Sequence, residues 1–209
     1  MDTFELVENL QEVADNKIDS VESRGIFNDI LEGRETEMAP SMEIQAQEIS
    51  EVFLELPELQ YEQWKELSVE ERIDVLQKFE YEIAKIEHRE PILVRGSDLG
   101  NCVYGQYSPQ TNDIQLNKDL LESNTKGAHV QIVETYFHEG RHAYQFYNLL
   151  VERTEPNSEL FNSWDVNLNV LGYNSEDYGI FGYEEYYTQP VEVDARVFAE
   201  TVISKLDLR

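Results

Sequence analysis

The sequence predicts an α+β fold, with a helical N-terminal part ahead of a domain that combines a small sheet with two further helices. Three observations lead to this class. Residues 1–90 show helical periodicity and no strand pattern, residues 103–117 alternate as two short strands, and helical spacing returns from about residue 127. We therefore predict a helical segment at 1–90 and a second domain at 91–209, which could also form one compact unit.

The N-terminal helices are amphipathic, and proline or glycine separates them. They are predicted at about 3–14, 17–32, 40–56 and 69–89. The clearest start is Ser68, which is followed three residues later by Glu71 in the pattern of a capping box. The segment could pack against the rest of the chain, recognise a substrate or act as an adaptor for export.

The two predicted strands, 103–107 and 113–117, flank a turn at Ser108 and Pro109. Cys102 is the single cysteine of the chain, so no intramolecular disulfide can form. We expect this residue to be buried or half-buried beside the first strand.

The motif HEGRH at residues 138–142 contains two histidines four positions apart, with Glu139 after the first. Apolar residues at three- and four-residue steps predict a buried helix from Gly127 to about Glu152. On a helix both imidazoles lie on one face, so they can reach a single ion, while Glu139 is placed to activate a water. A core helix with two hydrogen-bonded histidines is the alternative.

A catalytic zinc site usually needs a third protein ligand. The segment 188–200 is typical of a helix start, with Pro190 in the first turn. We predict Glu192 as the third ligand of one zinc ion per chain. Asp194 is predicted to accept a hydrogen bond that orients a ligand histidine, or to be the ligand itself. Alternatively, Glu192 is one of 43 acidic residues on a solvated face.

Two motifs together carry a resemblance to a known family: HEGRH at residues 138–142, and a later predicted helix that reads Glu-x-Asp-Ala-x-x-Phe-Ala from Glu192. With both, the chain resembles HExxH zinc metallopeptidases of the gluzincin branch. It is most similar there to the ImmA/IrrE group and to metallopeptidase domains of bacterial toxins. The resemblance covers roughly 91–209 and implies a zincin-like catalytic domain with an edge strand before the active-site helix. It also implies a catalytic Glu139 and the zinc ligands His138, His142 and Glu192.

Two residues depart from the pattern of that group. Arg196 stands where the group often has a small polar residue such as asparagine, and Asp194 stands where it often has glutamate. These departures concern the residues around the zinc ligands and the choice of subgroup.

The expected function is zinc-dependent hydrolysis of a peptide bond in a specific protein, by a toxin or effector or by a protease that cleaves a regulator. If strand 113–117 is an exposed edge, an extended substrate can add to it, with contacts to Ile114, Gln115 and Leu116. The tyrosine-rich segment 172–187 is expected to be a substrate-contacting loop. Tyr187 is the phenol that we expect to stabilise the oxyanion.

The formal charge of −27 arises from 16 basic and 43 acidic residues. Such an excess disfavours nucleic acid and anionic membranes as partners and suits a basic protein or peptide substrate. The alternative function is an acidic protein-binding module, such as a nucleic-acid mimic, with a structural or relic metal site. An acidic surface that serves solubility is a further interpretation.

No ordinary secretory signal is expected, because the N-terminus is acidic and lacks a basic region followed by an apolar run. No stretch approaches about 18 apolar residues. We therefore expect a protein made in the cytoplasm, which would leave the cell only by a route without a classical signal peptide.

Overall fold

A computed structural model describes residues 36–100, 102–174, 179–206 and 208. Over these ranges the chain is mainly helical and contains one three-stranded mixed sheet, so the α+β class is confirmed at this level. The helices predicted at 3–14 and 17–32 lie outside the described residues. Among the described helices, none combines the length and apolar character that crossing a membrane requires.

The helices are α1 (Met42–Glu55), α2 (Tyr61–Trp64), α3 (Val69–Ile86), α4 (Lys118–Glu122), α5 (Lys126–Leu150), α6 (Ser158–Asp165), α7 (Gly179–Tyr187) and α8 (Pro190–Leu206). The strands are β1 (Leu93–Ser97), β2 (Gly105–Ser108) and β3 (Asp113–Asn117). A 3₁₀ turn (Pro57–Leu59) follows α1, and a π-helical segment (Val166–Leu171) follows α6. The predicted helices that correspond to α1, α3, α5 and α8, the four longest of the described helices, are confirmed.

Local hydrogen bonds explain where the main helices begin. The backbone N–H of Glu71 donates to Ser68 Oγ, and the N–H of Ser68 donates to the Glu71 carboxylate at 2.8 Å, so the predicted capping box is present. At the start of α5 the Thr125 hydroxyl accepts from the N–H of Ala128. Pro190 begins α8, where a missing N–H costs no helical hydrogen bond.

Strand β3 is the central strand of the sheet, since the strand order is β1-β3-β2. It pairs parallel with β1 and antiparallel with β2. The expectation that 113–117 is an exposed edge is therefore wrong, and Ile114, Gln115 and Leu116 are all buried. Polar residues alternate along β3, as they do in a strand with one solvated face. Here these polar side chains are buried, and hydrogen bonds such as that from Gln115 to Asp113 satisfy them.

The edge strand beside the long helix α5 is β2, which packs closely on that helix. The close approach depends on Gly105. A Cβ at this position would lie 2.5 Å from Thr135 Cγ2 and 3.0 Å from the carbonyl oxygen of Gln115. Because real Cβ atoms do not tolerate such contacts, only glycine lets β2 reach this position.

The hydrophobic core does not divide near residue 90. One cluster of buried side chains combines residues of α1 and α3 with residues of the sheet, α5 and α8. The rings of Phe53, Phe79 and Phe137 meet within it, with centroids 5.7–6.3 Å apart. Helices from both predicted segments therefore bury one another's apolar faces.

Two local expectations are wrong. Cys102 is exposed, because it lies in the turn that precedes β2 rather than against the sheet. The tyrosine-rich segment is not a loop throughout, since residues 179–187 form α7, and residues 175–178 lie outside the described part of the chain. Glycines suggested a loop, but packing beside α8 supports a helix here.

Candidate metal centre

Three side chains from two packed helices meet at one point. His138 and His142 project from α5, and Glu192 projects from the first turn of α8. The two Nε2 atoms are 3.1 Å apart, and each lies 3.3 Å from one oxygen of Glu192. The structure therefore brings together the three residues that the sequence predicts as ligands, and this group could hold a metal ion.

The spacing of the two imidazole nitrogens is close to that of a tetrahedral site. Metal bonds of about 2.0–2.2 Å place neighbouring tetrahedral ligands about 3.3–3.6 Å apart. The two Nε2 atoms are 3.1 Å apart, within a few tenths of an ångström of this range, and each has a different oxygen of Glu192 at 3.3 Å. Glu192 is fully buried and both histidines are half-buried, so the ligands meet at the inner end of an accessible site.

The tautomer of His142 is fixed by Gln145. The Gln145 amide nitrogen donates to Asp194 Oδ2 at 2.8 Å and to the carbonyl of Val191 at 3.0 Å, so its oxygen must accept from His142 Nδ1 at 2.9 Å. A neutral His142 then presents the lone pair of Nε2 towards Glu192. Two acceptors in this position repel each other unless a cation or a proton lies between them.

Without a metal, a proton takes this place. Burial lowers the pKa of His142, but the hydrogen bond and charge of Glu192 outweigh burial and raise it to about 9. Burial would likewise raise the pKa of Glu192, yet the neighbouring imidazoles of His138 and His142 hold it well below its usual range. The carboxylate is thus ionised, as metal binding requires.

Glu192 Oε2 is one of the buried polar atoms without a hydrogen-bond donor among the described residues. A buried carboxylate oxygen in this state is unfavourable unless something else compensates its charge. It lies 3.3 Å from His138 Nε2 and 3.9 Å from Arg196 Nη1. This unsatisfied oxygen, next to the Nε2 of His138, fits the donor set of a bound cation.

Asp194 acts on the histidine indirectly. It accepts two hydrogen bonds from Arg141, at 2.8 and 3.2 Å, and one from Gln145. Asp194 orients the ligand histidine through Gln145, which lies between Asp194 and His142, and not by a hydrogen bond of its own to the imidazole. Nor is Asp194 a member of the metal-binding group. Gln145 and Arg141 were missed as site residues, although Gln145 follows His142 by three positions and so shares its helix face.

Glu139 is held beside the candidate metal centre by the edge strand. Its Oε2 accepts from the backbone N–H of Tyr107 on β2 at 2.7 Å, and the side chain is mostly buried. Glu139 therefore projects from α5 towards β2 and lines the same cleft as the ligand group. Gly140, between the motif residues, has only Ile114 Cδ1 near its Cβ position, at 3.9 Å, so no close backbone approach explains this glycine.

The hydroxyl of Tyr173 forms a hydrogen bond with Glu192 of the candidate metal centre. It donates to Glu192 Oε1 at 2.8 Å. Burial and the negative charge of Glu192 raise the pKa of Tyr173 far above its usual value, so the phenol keeps its proton. Tyr187 instead stacks on Tyr183, and the Arg196 guanidinium lies over its ring at 3.6 Å. Its catalytic role stays a prediction.

A cleft of about 1010 Å³ contains the ligand group. One wall is formed by the segment from Cys102 to Tyr107, and another by α7 and the segment around Tyr173. The buried central strand β3 does not line it, so the predicted contacts of Ile114, Gln115 and Leu116 with a substrate are not supported.

Scans of the chain against protein-family models, curated proteins and solved structures find no match. What the fold and the site define is an α+β protein with a candidate metal centre of two histidines and one glutamate. The resemblance to gluzincins, the zincin-like character of the domain and the identity of the metal stay predictions.

Proposed function

We propose that this protein is a zinc-dependent endopeptidase. The observation that carries the proposal is the convergence of His138, His142 and Glu192 on one point, with the carboxylate of Glu139 held in the same cleft. Two imidazoles and one carboxylate are the ligand set of catalytic zinc sites in peptidases, which leave a fourth position open. A purely structural site has no need for Glu139.

When bound, zinc polarises a carbonyl group and lowers the pKa of water to about 7. Glu139 accepts a proton from the attacking water and later passes it to the leaving amine. The backbone N–H of Tyr107 fixes one carboxylate oxygen of Glu139 for this exchange. Gln145 keeps a proton on Nδ1 of His142, so that Nε2 is the ligand atom.

The strand that would hold an extended substrate is β2 rather than β3. Tyr104 accepts a hydrogen bond from Asn117 at the end of β3, whereas the N–H of Tyr107 points away from β3 to Glu139. In an antiparallel pair this direction alternates, so Gly105 also directs its backbone groups away from β3 and into the cleft. A substrate strand added at Gly105 would place its peptide bonds beside the candidate ligands.

The charge of the molecule suggests the kind of substrate. The chain has a formal charge of −27, and Glu134 and Glu200 line the same cleft as the ligands. Such a field attracts cationic segments at low ionic strength. We propose a basic protein segment as the substrate, and no nucleic acid or membrane as a partner.

The first experiment combines elemental analysis with a cleavage assay on a mixed peptide library read by mass spectrometry. Wild-type protein is expected to carry one zinc ion per chain and to cleave the library. Glu139→Gln should retain zinc and lose at least 100-fold in cleavage rate, because the general base is absent. His142→Ala should lose the metal.

Glu134→Gln is the matched control, since it removes a carboxylate from the same helix and the same cleft. It should retain zinc and lose far less cleavage than Glu139→Gln, because it removes one charge of the acidic cleft but leaves the proposed base. A Glu139→Gln variant that cleaves as fast as wild type would contradict the proposal. Zinc binding without any cleavage would favour the acidic binding module.

A further inference from the structure

The carboxylate of Glu192 has two unequal oxygens. Oε1 accepts from the Tyr173 hydroxyl at 2.8 Å and lies 3.3 Å from His142 Nε2. Oε2 faces His138 Nε2 at 3.3 Å and has no hydrogen-bond donor among the described residues. One oxygen is therefore occupied by a neutral donor, and the other is left for a cation.

Tyr173 is held in place by the residue that precedes α8. The N–H of Asn174 donates to Gln189 Oε1 at 2.9 Å, and the Gln189 amide donates back to the carbonyl of Asn174 at 2.8 Å. Gly172, with φ of 81°, turns the chain immediately before Tyr173, in a conformation that favours glycine. The phenol is thus anchored to the same helix start that carries Glu192.

The ring of Tyr173 has a second support. It meets the ring of Tyr186 edge to face, with centroids 6.2 Å apart. Two reciprocal amide hydrogen bonds and one ring contact fix the position of the hydroxyl within the cleft. Tyr173 is 45% exposed and Tyr183, which stacks on Tyr187, is 55% exposed, so these contacts rather than burial distinguish the two residues.

We propose that Tyr173 is a positioning residue that makes Glu192 a ligand through Oε2 alone. The hydrogen bond uses one lone pair of Oε1, makes that oxygen the weaker donor to a metal and stops the carboxylate from turning. A glutamate that binds through one oxygen keeps a further coordination position open, which a catalytic site needs. This inference rests on the proposed metal site and extends it to a residue outside both ligand helices.

The test compares Tyr173→Phe with Tyr183→Phe, which removes a hydroxyl from the same cleft without touching Glu192. Zinc dissociation constants are measured by competition with a chelator, and the visible spectrum of the Co²⁺-substituted protein reports coordination number. Tyr173→Phe should weaken zinc binding by about 10–100-fold and change the Co²⁺ spectrum, as loss of a partner to a ligand does. Tyr183→Phe should match wild type in both.

Thermal melting of the metal-free variants separates positioning from stability, because a purely structural role would lower the melting temperature and leave the Co²⁺ spectrum unchanged. That result, or wild-type zinc affinity in Tyr173→Phe, would overturn the inference. If wild type binds zinc and cleaves peptides while Tyr173→Phe behaves like it, only this inference fails. If wild type binds no zinc, the proposed function fails as well.

Discussion

His142 owes its tautomer to a chain of buried polar side chains. Arg141 donates to Asp194, Asp194 accepts from Gln145, and the Gln145 oxygen accepts from the imidazole. Arg141 and Gln145 are fully buried, and Asp194 is nearly so. Buried polar networks stabilise one arrangement when every member is satisfied. The orientation of this ligand is therefore set from inside the core.

Replacing Gln145 by methionine tests this chain at the level of one residue. The variant keeps the length of the side chain but removes the acceptor for His142 Nδ1, so either ring nitrogen can carry the proton. Zinc affinity should fall about 10–100-fold. The measurement is chelator competition, with Gln131→Met on the same helix as a control that keeps the wild-type affinity. Unchanged affinity in Gln145→Met would show that the network does not orient the ligand.

The candidate metal ligands could be predicted from the sequence, but the residues that form hydrogen bonds with them could not. His138 and His142 follow from helical geometry, because residues four apart share a face. Tyr173 depends on how α8 packs against a distant segment, and five tyrosines in one stretch offered no means to choose among them. Tyr187, which the sequence favours by its proximity to Glu192, ends α7 and lines the same cleft, and its catalytic role stays a prediction.

Among the elements, the position of β2 against α5 decides where Glu139 points. The N–H of Tyr107 can reach Glu139 only if β2 lies close to α5, and that approach depends on the missing side chain of Gly105. The nearest obstacle to a Cβ is the Thr135 methyl group, whose β-branched side chain has little rotameric freedom in a helix. The glycine thus links the edge strand to the proposed base.

Gly105→Ala should push β2 away from α5 and destabilise the protein by about 1–3 kcal/mol, as overpacking does. Because the hydrogen bond to Glu139 should lengthen, peptide cleavage should fall more than zinc affinity. Urea unfolding and the two functional assays measure these effects.

The matched control for Gly105→Ala adds Thr135→Ser, which removes the Cγ2 atom that lies 2.5 Å from the Cβ position and leaves the hydroxyl. The double variant should recover part of the lost stability, since the contact of 3.0 Å with the Gln115 carbonyl remains. Equal stability of Gly105→Ala and wild type would contradict the steric argument.

The long helices could be predicted because each has a sustained apolar face, and β2 and β3 because their residues alternate, whereas β1 and the shorter helices were missed. Strand β1 (Leu93–Ser97) contains glycine and no alternation, and α7 contains two glycines in a tyrosine-rich stretch. The order of the strands also depends on pairing across the chain. For β3, the same alternation fits an edge or a centre, because buried polar side chains can be satisfied by one another.

At the scale of the whole molecule, the described part of residues 1–90 belongs to the same hydrophobic core as α5 and α8, the helices that carry the candidate metal ligands. Gln45 of α1 accepts from Arg141 at 3.1 Å, so a helix of the N-terminal segment bonds a residue of the HEGRH motif. The residue patterns before and after residue 90 differ, but side chains from both parts are buried in one hydrophobic core. A change of composition indicates a domain boundary only where few contacts cross it.

The same core contains more carboxylates than guanidinium groups to neutralise them. Glu80 and Glu87 both bond Arg89, while Glu155 and Asp194 both lie beside Arg141. All six side chains are buried. Glu87 Oε1 has no hydrogen-bond partner in the described structure, and burial raises the pKa of Glu87 despite the opposing charge of Arg89. Four carboxylates thus share two cations.

This imbalance predicts how stability depends on pH. A carboxyl whose pKa is raised by folding contributes stability that is complete below its ordinary value of about 4.5 and is lost as pH rises through the raised pKa. The free energy of unfolding of the metal-free protein should therefore fall as pH rises from 4.5. Glu87→Gln removes the titrating charge and should stabilise the protein at pH 8 by about 1–2 kcal/mol, typical of an unsatisfied buried acceptor.

Urea unfolding in the presence of a chelator, at pH 5 and pH 8, measures this effect. The matched control is Glu90→Gln, three residues along the chain, where the carboxylate is exposed. That variant reports how much the lower overall charge alone contributes and should differ little from wild type. A Glu87→Gln protein that is less stable than wild type at pH 8 would show that the Glu87 charge is compensated, in which case Arg89 would have to balance Glu80 and Glu87 together.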